Sequence, residues 1–258
     1  MDQVLIGSLS GSAPRYIHID DIEVTITAHF LGSRALHGRK EVADIAILAS
    51  LTQYGRTQEK IALIQTKRLY PEPVTGPTAA GHRSYYEFNA DCEYKALLPA
   101  SSQVDAIDKF HKELGVDVFY GLYNPVQFLS PAYPYPLDYH DTTAINQATN
   151  WIGCRIMPAA EVHATLHKLG RQPSYHELFL PNAKLKDGKP ATAWRLETFV
   201  AGELMRCRQG NLLSKSRHAK IYRLLLDRER PIASLVEIAV IDRRPEWAIT
   251  DGGWQDLR

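Results

Sequence analysis

The stretch ADIAILASLTQYGRTQEKIALIQTKRLY (43–70) decides the fold of this chain. It holds two apolar runs around a polar turn, which we place near Gly55 and Arg56 because glycine is typical of hairpin turns. Both runs carry apolar residues on both faces, which predicts a hairpin in the centre of a sheet covered on both sides. Asp44 opens the first run, and Gln65 and Lys67 close the second, so the polar groups stand at one end of this hairpin.

The register of the hairpin follows from the position of its turn. If pairing is symmetric about Gly55 and Arg56, paired residue numbers sum to about 111, which places Asp44 opposite Lys67 with Cβ atoms roughly 5 Å apart. Gln65 shares their face, because side chains two apart in a strand point the same way. An acid, an amide and an amine are then expected to converge, either as a cleft or as an exposed ion pair that contributes little to stability.

Composition limits the kinds of partner. The chain has 258 residues, of which 45% are apolar, and a formal net charge of +1 at pH 7, so any binding of nucleic acid needs a local basic patch. Its three cysteines, Cys92, Cys154 and Cys207, form no CxxC pair and predict neither a disulfide framework nor a cysteine zinc site. The N-terminal stretch does not predict a signal peptide and no 18-residue apolar run occurs, so we expect a soluble, cytoplasmic protein without membrane contact.

Strands and helices alternate along the rest of the chain. Asp20 and Glu23 match a capping box, which favours a helix at 19–36 over the strand that the same apolar residues also allow. The remaining predicted elements are strands at 42–49 and 60–67, a loop at 70–82, a helix at 101–115, strands at 116–124 and 151–157, a helix at 158–169, helices near 196–208 and 215–227, and a strand at 232–241. This order predicts a single mixed α/β domain.

The chemistry of the hairpin end suits phosphodiester hydrolysis. A carboxylate with further oxygen donors can hold Mg²⁺, which also binds substrate phosphate oxygens. A bound metal lowers the pKa of its water and stabilises the charge that develops on the phosphoryl group. A lysine beside such ligands can orient the attacking water and offset negative charge.

Asp44 followed by IQTK (64–67) resembles the catalytic core of the PD-(D/E)xK, restriction-endonuclease-like nucleases, in their QxK-type bacterial branch. The segments QTKRLYPEP (65–73), VFYGLYNP (118–125) and WIGCRIMPA (151–159) are also similar to bacterial proteins of that branch. The resemblance implies one nuclease-like domain over 1–258, with a central mixed β-sheet flanked by helices. Its core would cover about 19–170, and helical and strand additions would form a C-terminal extension at about 171–258.

The resemblance also implies roles for individual residues. Asp44 and Gln65 would hold Mg²⁺, or Mn²⁺, together with the backbone carbonyl of Thr66, and Lys67 would orient the water. The additional acid would be Glu23, with Glu41 as its rival. Gln103 matches a glutamine that some of these nucleases carry on the helix after the hairpin, although a polar residue in a first helical turn is the better explanation.

Two further groups of residues stand out. The run MRCRQGNLLSKSRHAKIYRLLLDRERP (205–231) predicts a basic patch for phosphate contacts or a solvated helix face. Before its first acid, Asp227, the run carries Arg206, Arg208, Lys215, Arg217, Lys220 and Arg223. His163 and His167 have the i, i+4 spacing of zinc ligands but lack the HExxH glutamate, so we expect two solvent-facing histidines.

The function expected from these observations is metal-dependent nuclease activity. DNA is favoured over RNA as substrate, and the resemblance suggests an effector of bacterial antiphage defence that acts with a partner protein of such a system. The alternative is a catalytically inactive module of the same fold that binds nucleic acid or a partner protein. Homo-oligomerisation stays open.

Overall fold

A computed structural model describes residues 13–30, 42–70, 72–78, 81–87, 92–124, 153–179, 193–205, 209–213 and 232–244. In chain order, the strands are β1 (Arg15–Ile19), β2 (Ile22–Phe30), β3 (Ala43–Gln53), β4 (Arg56–Arg68), β5 (Glu72–Thr78), β6 (Gly81–Glu87), β7 (Val118–Asn124), β8 (Gly153–Pro158), β9 (Trp194–Arg195), β10 (Asn211–Leu212) and β11 (Ile232–Asp242). The helices are α1 (Ser102–Leu114), α2 (Ala159–Leu169), α3 (Tyr175–Phe179) and α4 (Leu196–Thr198), which continues as a π-helix at Phe199–Leu204.

Strands dominate the architecture. Among the described residues, nine strands form one sheet in the order β1-β2-β11-β3-β4-β7-β8-β9, with β10 paired to β4, while β5 and β6 pair separately. β11 runs antiparallel to β2 and parallel to β3, so the sheet is mixed. The chain is therefore an α/β protein with a large open mixed sheet and few helices, which confirms the predicted class.

The chain clusters into two compact units. The first comprises Met1–Gln65, Asp105–Phe119 and Glu197–Arg258, and the second comprises Thr66–Val104 and Tyr120–Leu196. The first unit contains β1, β2, β3 and β11, together with β4 as far as Gln65. The expectation of a single domain over 1–258 stays a prediction.

The predicted hairpin is confirmed, and it lies in the middle of the sheet. In β3 and β4, Ala46, Ile47, Leu63 and Ile64 are all buried, although neighbours in a strand point to opposite faces. Both faces of this part of the hairpin are therefore covered, as the two-sided apolar pattern predicts.

The register of the hairpin differs from the prediction. The turn consists of Tyr54 and Gly55, with φ of +51° and +70°, rather than Gly55 and Arg56. Two positive φ angles are typical of a two-residue turn whose twist matches the strands that flank it. Ile45 pairs with Ile64, so Asp44 falls opposite Gln65 and not opposite Lys67. Because the shift is by two residues, each side chain keeps the face that the sequence predicts.

The predicted helix at 19–36 is wrong for its described part. Residues 22–30 form β2, which pairs with β1 on one side and β11 on the other. Asp20 does not cap a helix; it has φ +49° in the turn between β1 and β2. The alternating apolar residues of this stretch decide its structure, because two neighbouring strands supply the hydrogen bonds that a strand needs.

The C-terminal strand is predicted correctly as an element but wrongly as an addition. β11 lies between β2 and β3, and its register with β3 runs from Ile232 opposite Ala43 to Asp242 opposite Gln53. Its position completes the centre of the sheet in the first unit. Local sequence patterns do not reveal this insertion, because the paired residues are about 190 positions apart in the chain.

Other predicted elements are mostly confirmed. The helix at 101–115 is α1, in which the Val104 amide donates to Ser101 Oγ at 3.2 Å and Gly115 ends the helix with φ +62°. The strands at 116–124 and 151–157 and the helix at 158–169 correspond to β7, β8 and α2. The predicted loop at 70–82 is wrong, because β5 and β6 form an antiparallel pair there. The helix predicted near 215–227 lies outside the described residues.

The second unit contains a buried histidine, His163, which the sequence predicts to face solvent. His163 on α2 is 3% exposed, and its Nε2 lies 3.0 Å from the hydroxyl of buried Tyr120. The prediction of two solvent-facing histidines is therefore wrong for His163, while His167 is exposed. The helix turns His163 inward beside Val162 and Leu166, which are also buried.

Within the described ranges, no helix is long and apolar enough to span a bilayer.

Candidate functional site

Asp44 and Gln65 meet at the open end of the β3–β4 hairpin, in the first unit. The Gln65 side-chain amide donates from Nε2 to Oδ2 of Asp44 at 2.7 Å. Asp44 is half-buried, whereas Gln65 is only 3% exposed. The corrected register brings the two residues opposite each other, so the pair is a direct cross-strand contact.

The second polar atom of the Gln65 amide differs from the first. Oε1 of Gln65 is buried and accepts no hydrogen bond from any residue that the structure describes. A buried acceptor without a donor costs roughly 1–3 kcal/mol, because it has lost its water. The contact with Asp44 explains this orientation, since a carboxylate accepts the amide N–H groups and therefore turns Oε1 away. A cation or a hydrogen-bond donor that reaches Oε1 would recover the lost interaction.

The backbone around Asp44 is held by the neighbouring strand. Ser234 on β11 donates its hydroxyl to the Asp44 carbonyl oxygen at 3.0 Å. The parallel register of β11 with β3 begins in the same place, with Ile232 opposite Ala43. Asp44 is thus fixed by β4 through its side chain and by β11 through its main chain, which restricts the direction of its carboxylate.

Thr66 and Lys67 follow Gln65 on β4 and belong to the second unit. Both side chains are half-buried, and both take part in further interactions. Lys67 lies on the same face of β4 as Gln65, because the two residues are two positions apart in one strand. The roles expected of Lys67 and of the Thr66 carbonyl stay predictions.

Glu23 lies far from Asp44. On β2 it pairs with Ile241 of β11, which in turn pairs with Thr52 of β3. Thr52 is eight residues from Asp44 along β3, or roughly 27 Å at the rise of an extended strand. Glu23 instead accepts a hydrogen bond from Arg243 at 3.1 Å. The structure therefore does not bring together the two acids that the resemblance pairs.

The other predicted site residues are distributed as follows. Glu41 lies outside the described residues, as do the six basic residues expected to form the patch, namely Arg206, Arg208, Lys215, Arg217, Lys220 and Arg223. Gln103 is in the first turn of α1 and belongs to the second unit. The basic patch and the choice between the acids thus stay predictions.

The sequence does not reveal a second polar pair in the first unit. His29 on β2 is 7% exposed, and its Nε2 lies 2.7 Å from Oε2 of Glu237 on β11. Nδ1 of His29 is buried and has no hydrogen-bond partner within the described ranges of the chain. Each residue sits in an alternating strand pattern, where a single polar residue attracts no notice. Their contact depends on the pairing of β2 with β11, which is not visible in the sequence.

The donors at Asp44 suit a hard cation, although they are few. In the described part of the chain, no three residues among His, Cys, Asp and Glu are grouped so that they could hold a metal ion. Asp44 and Gln65 offer carboxylate and amide oxygens, the donor types that Mg²⁺ takes, and Mg²⁺ keeps several waters where the protein supplies only one or two ligands. The unpartnered Oε1 is the observation that makes these residues fit such an ion.

Comparison of the chain with protein-family models, with curated proteins and with solved structures found no match.

Proposed function

We propose that this chain is a metal-dependent nuclease that hydrolyses phosphodiester bonds of DNA with Mg²⁺, for which Mn²⁺ can substitute. The observation that carries the proposal is the amide of Gln65, which is buried, hydrogen-bonded to Asp44 and left with an unpartnered oxygen. A glutamine that only supported the strand would be expected to satisfy both ends of its amide. In this structure the amide presents Nε2 to Asp44, and a half-turn of the amide group would place its oxygen beside the carboxylate, as a hard-cation site requires.

The residues divide the work by their chemistry. Asp44 and Gln65 would hold the ion through their side-chain oxygens, with the Thr66 carbonyl as a further ligand. When bound, the ion supplies a more acidic water and neutralises charge on the phosphate. Lys67 would donate a hydrogen bond to the attacking water and offset the negative charge of the pentavalent phosphoryl group. Gln65 contributes no charge, so the protein neutralises little of the charge on the ion. The substrate phosphate would therefore increase the affinity for the ion more than it would at a site with a second carboxylate.

We also propose a restriction-endonuclease-like core. The support is the order of elements in the chain: a hairpin with the acid and the QxK motif, then helix α1, then strand β7. This order agrees with the nuclease core, whereas β2 stands where that core has a helix. A role as an effector of antiphage defence, with a partner protein of that system, rests on the resemblance of the motif segments.

A second candidate is an inactive module that keeps the site but binds nucleic acid or a partner protein. It is favoured by the position of Glu23, which is roughly 27 Å along the sheet from Asp44 by the rise of the strand. Without a second acid, the ion would depend on Asp44, on neutral oxygens and on the substrate. Such a module would bind DNA equally well in EDTA and in Mg²⁺.

The deciding experiment is cleavage of supercoiled plasmid by the purified chain in Mg²⁺, in Mn²⁺ and in EDTA. We expect nicked or linear products with either ion and none in EDTA. Lys67→Ala should remove the products while leaving the circular dichroism spectrum and the thermal midpoint unchanged. Binding of a labelled duplex, measured in the same buffers by fluorescence anisotropy, identifies the inactive module if binding occurs without cleavage.

A further inference from the structure

The second polar pair of the first unit, His29 and Glu237, has the features of a proton-transfer dyad. The 2.7 Å contact joins Nε2 of His29 to a carboxylate oxygen of Glu237, and the side chains are 8% and 26% exposed. An ionised carboxylate can only accept, so the ring must donate from Nε2. The carboxylate thereby fixes the tautomer and the orientation of the ring, as the acid of a catalytic dyad or triad does.

This arrangement makes Nδ1 the reactive nitrogen. With the proton of the neutral ring on Nε2, Nδ1 carries a lone pair, and it is buried without a partner. A second proton on the ring would make Nδ1 a donor, because both nitrogens of an imidazolium carry hydrogen. A structural histidine would be expected to satisfy both nitrogens when buried. Here one nitrogen is anchored, whereas the other is buried and has no partner among the described residues, so a substrate reaches it only when the groups that cover it move.

His29 and Asp44 lie on the same face of the sheet. His29 pairs with Leu235 of β11, and Leu235 pairs with Ala46 of β3, two residues after Asp44. Residues in register share a face, so His29, Glu237, Asp44 and Gln65 all point to one side. Among the described residues, three buried side-chain atoms lack a hydrogen-bond partner, and this face carries two of them, Nδ1 of His29 and Oε1 of Gln65.

The spacing of the two pairs suits an extended substrate. His29 lies two strands away from Asp44 across the sheet and is displaced by two residues along the strand direction. These two displacements give roughly 12 Å between the Cα atoms of His29 and Asp44. That distance is too long for both residues to ligate one ion. Gln65 reaches Asp44 from β4, whereas His29 lies beyond β11 on the opposite side of β3. A displacement at phosphorus needs its attacking and leaving oxygens on opposite sides, so the β2 side is available for the leaving group.

We propose that His29, oriented by Glu237, is the general acid that protonates the leaving oxygen of the phosphodiester. This inference rests on the proposed nuclease function. In the step, the water oxygen forms a bond to phosphorus while the bond from phosphorus to the leaving oxygen breaks. The Nδ1 proton of the imidazolium passes to that oxygen, which departs as an alcohol. The water releases one proton to solvent, and the neutral ring regains a proton from solvent before the next turnover.

The experiment compares two leaving groups in one assay with Mn²⁺. One oligonucleotide duplex has ordinary linkages, and in two others the bridging 3′ or 5′ oxygen at a defined linkage is replaced by sulfur, because a thiolate leaves without needing a proton. We expect His29→Asn to slow cleavage of the ordinary linkage by about 10²- to 10⁴-fold, the usual contribution of a general acid. Cleavage of the sulfur-bridged linkage by His29→Asn should stay close to the wild-type rate.

Glu237→Gln provides a second variant that keeps the ring of His29 and removes the charged acceptor that fixes its tautomer and orientation. It should slow the ordinary linkage selectively but less than His29→Asn does, and it decides the matter if His29→Asn fails to fold. The matched control is His18→Asn, because His18 also lies near a glutamate, with 4.0 Å between its Nδ1 and Oε1 of Glu23, but is 69% exposed. His18→Asn should cleave both kinds of linkage at the wild-type rate.

Several outcomes would overturn the inference. Equal slowing of both linkages by a folded His29→Asn variant would make the histidine a structural residue, and full activity would make it irrelevant. If wild type cleaves the duplexes and His29→Asn gives either of these results, the inference fails but the nuclease proposal stands. If wild type cleaves neither linkage while binding the duplex, the nuclease proposal fails, and the inference fails with it.

Discussion

Two carboxylate–glutamine pairs occupy opposite ends of β3, and they differ in how completely they are satisfied. At one end, Gln65 donates to Asp44 and keeps a buried oxygen without a partner. At the other end, Gln53 donates from Nε2 to Oδ2 of Asp242 at 3.2 Å, and Arg244 closes the cluster with side-chain hydrogen bonds of 2.9 and 2.7 Å to both oxygens of Asp242. The backbone amide of Arg244 adds a further bond at 3.0 Å.

The difference separates a structural cluster from a candidate site. The guanidinium of Arg244 holds the pKa of Asp242 below its usual range, because it stabilises the carboxylate with hydrogen bonds and charge. Asp242 needs nothing from outside the chain. The side-chain oxygen of Gln65 has lost its water on burial without gaining a donor among the described residues. An external group that reaches this oxygen can therefore form a favourable interaction with it. Of the two pairs, only Asp44 and Gln65 therefore keep a buried atom that an external group could satisfy, as judged among the described residues.

The largest expected effect is on cleavage. Asp44→Asn should reduce plasmid cleavage to background, because the carboxylate that would hold the ion is lost, whereas Asp242→Asn should cleave at the wild-type rate. Initial rates at saturating Mg²⁺ measure both. Equal loss of activity in the two variants would erase the distinction between the two ends of β3.

The second effect is on the free energy of unfolding, where we expect the Asp242 variant to lose more than the Asp44 variant. Asp242→Asn should lower the free energy of unfolding at neutral pH by about 1–2 kcal/mol, because charge-assisted hydrogen bonds to a partly exposed arginine are lost. Asp44→Asn should change it less. Urea unfolding followed by fluorescence gives both values, and a larger loss in Asp44→Asn would contradict the comparison.

The same cluster predicts a dependence on pH. The folded-state pKa of Asp242 is lowered, so its contribution is fully present above the ordinary pKa of an aspartate and is lost as the pH falls through the lower folded-state value. The difference in stability between wild type and Asp242→Asn should therefore shrink below about pH 4. A difference that stays constant down to acid pH would show that Asp242 acts by shape and not by charge.

A smaller effect concerns metal affinity. Gln65→Glu adds a charge where the structure has a neutral oxygen, so we expect Mn²⁺ or Mg²⁺ to bind roughly tenfold more tightly. Calorimetric titration of both proteins measures this, with Gln53→Glu at the other end of β3 as the matched control. Unchanged affinity in Gln65→Glu, with no binding by wild type even in the presence of DNA, would exclude Gln65 as a ligand.

The smallest effect is expected at Glu23. Its contact with Arg243 is on the surface, where such pairs contribute about 0–1 kcal/mol, and Glu23 lies at the Asp242 end of the sheet. Glu23→Gln should therefore change neither cleavage nor stability by much. A loss of cleavage as large as that of Asp44→Asn would restore Glu23 as the second acid and contradict its position on β2.

The sequence by itself determined the elements whose signals are local. The β3–β4 hairpin follows from two apolar runs around a glycine-bearing turn, and α1 follows from Ser101 at its start and Gly115 at its end. In each case the residues that decide the structure are neighbours in the chain. The sequence also determined that Asp44 and Gln65 lie on one face of the sheet. Side chains alternate with a period of two along a strand, and the observed register differs from the predicted one by two residues, so each side chain keeps its face.

Only the tertiary structure decided the features that depend on distant pairing. Residues 22–30 became a strand because β1 and β11 supply partners, which outweighs the capping-box pattern of Asp20 and Glu23. The placement of β11 beside β3 moved Glu23 away from Asp44 and brought His29 to Glu237, about 208 residues apart in the chain. The burial of Gln65 and its unpartnered oxygen likewise arise from packing. Such contacts depend on how the strands pair across the whole sheet. No local segment of the sequence contains all the residues that determine this pairing.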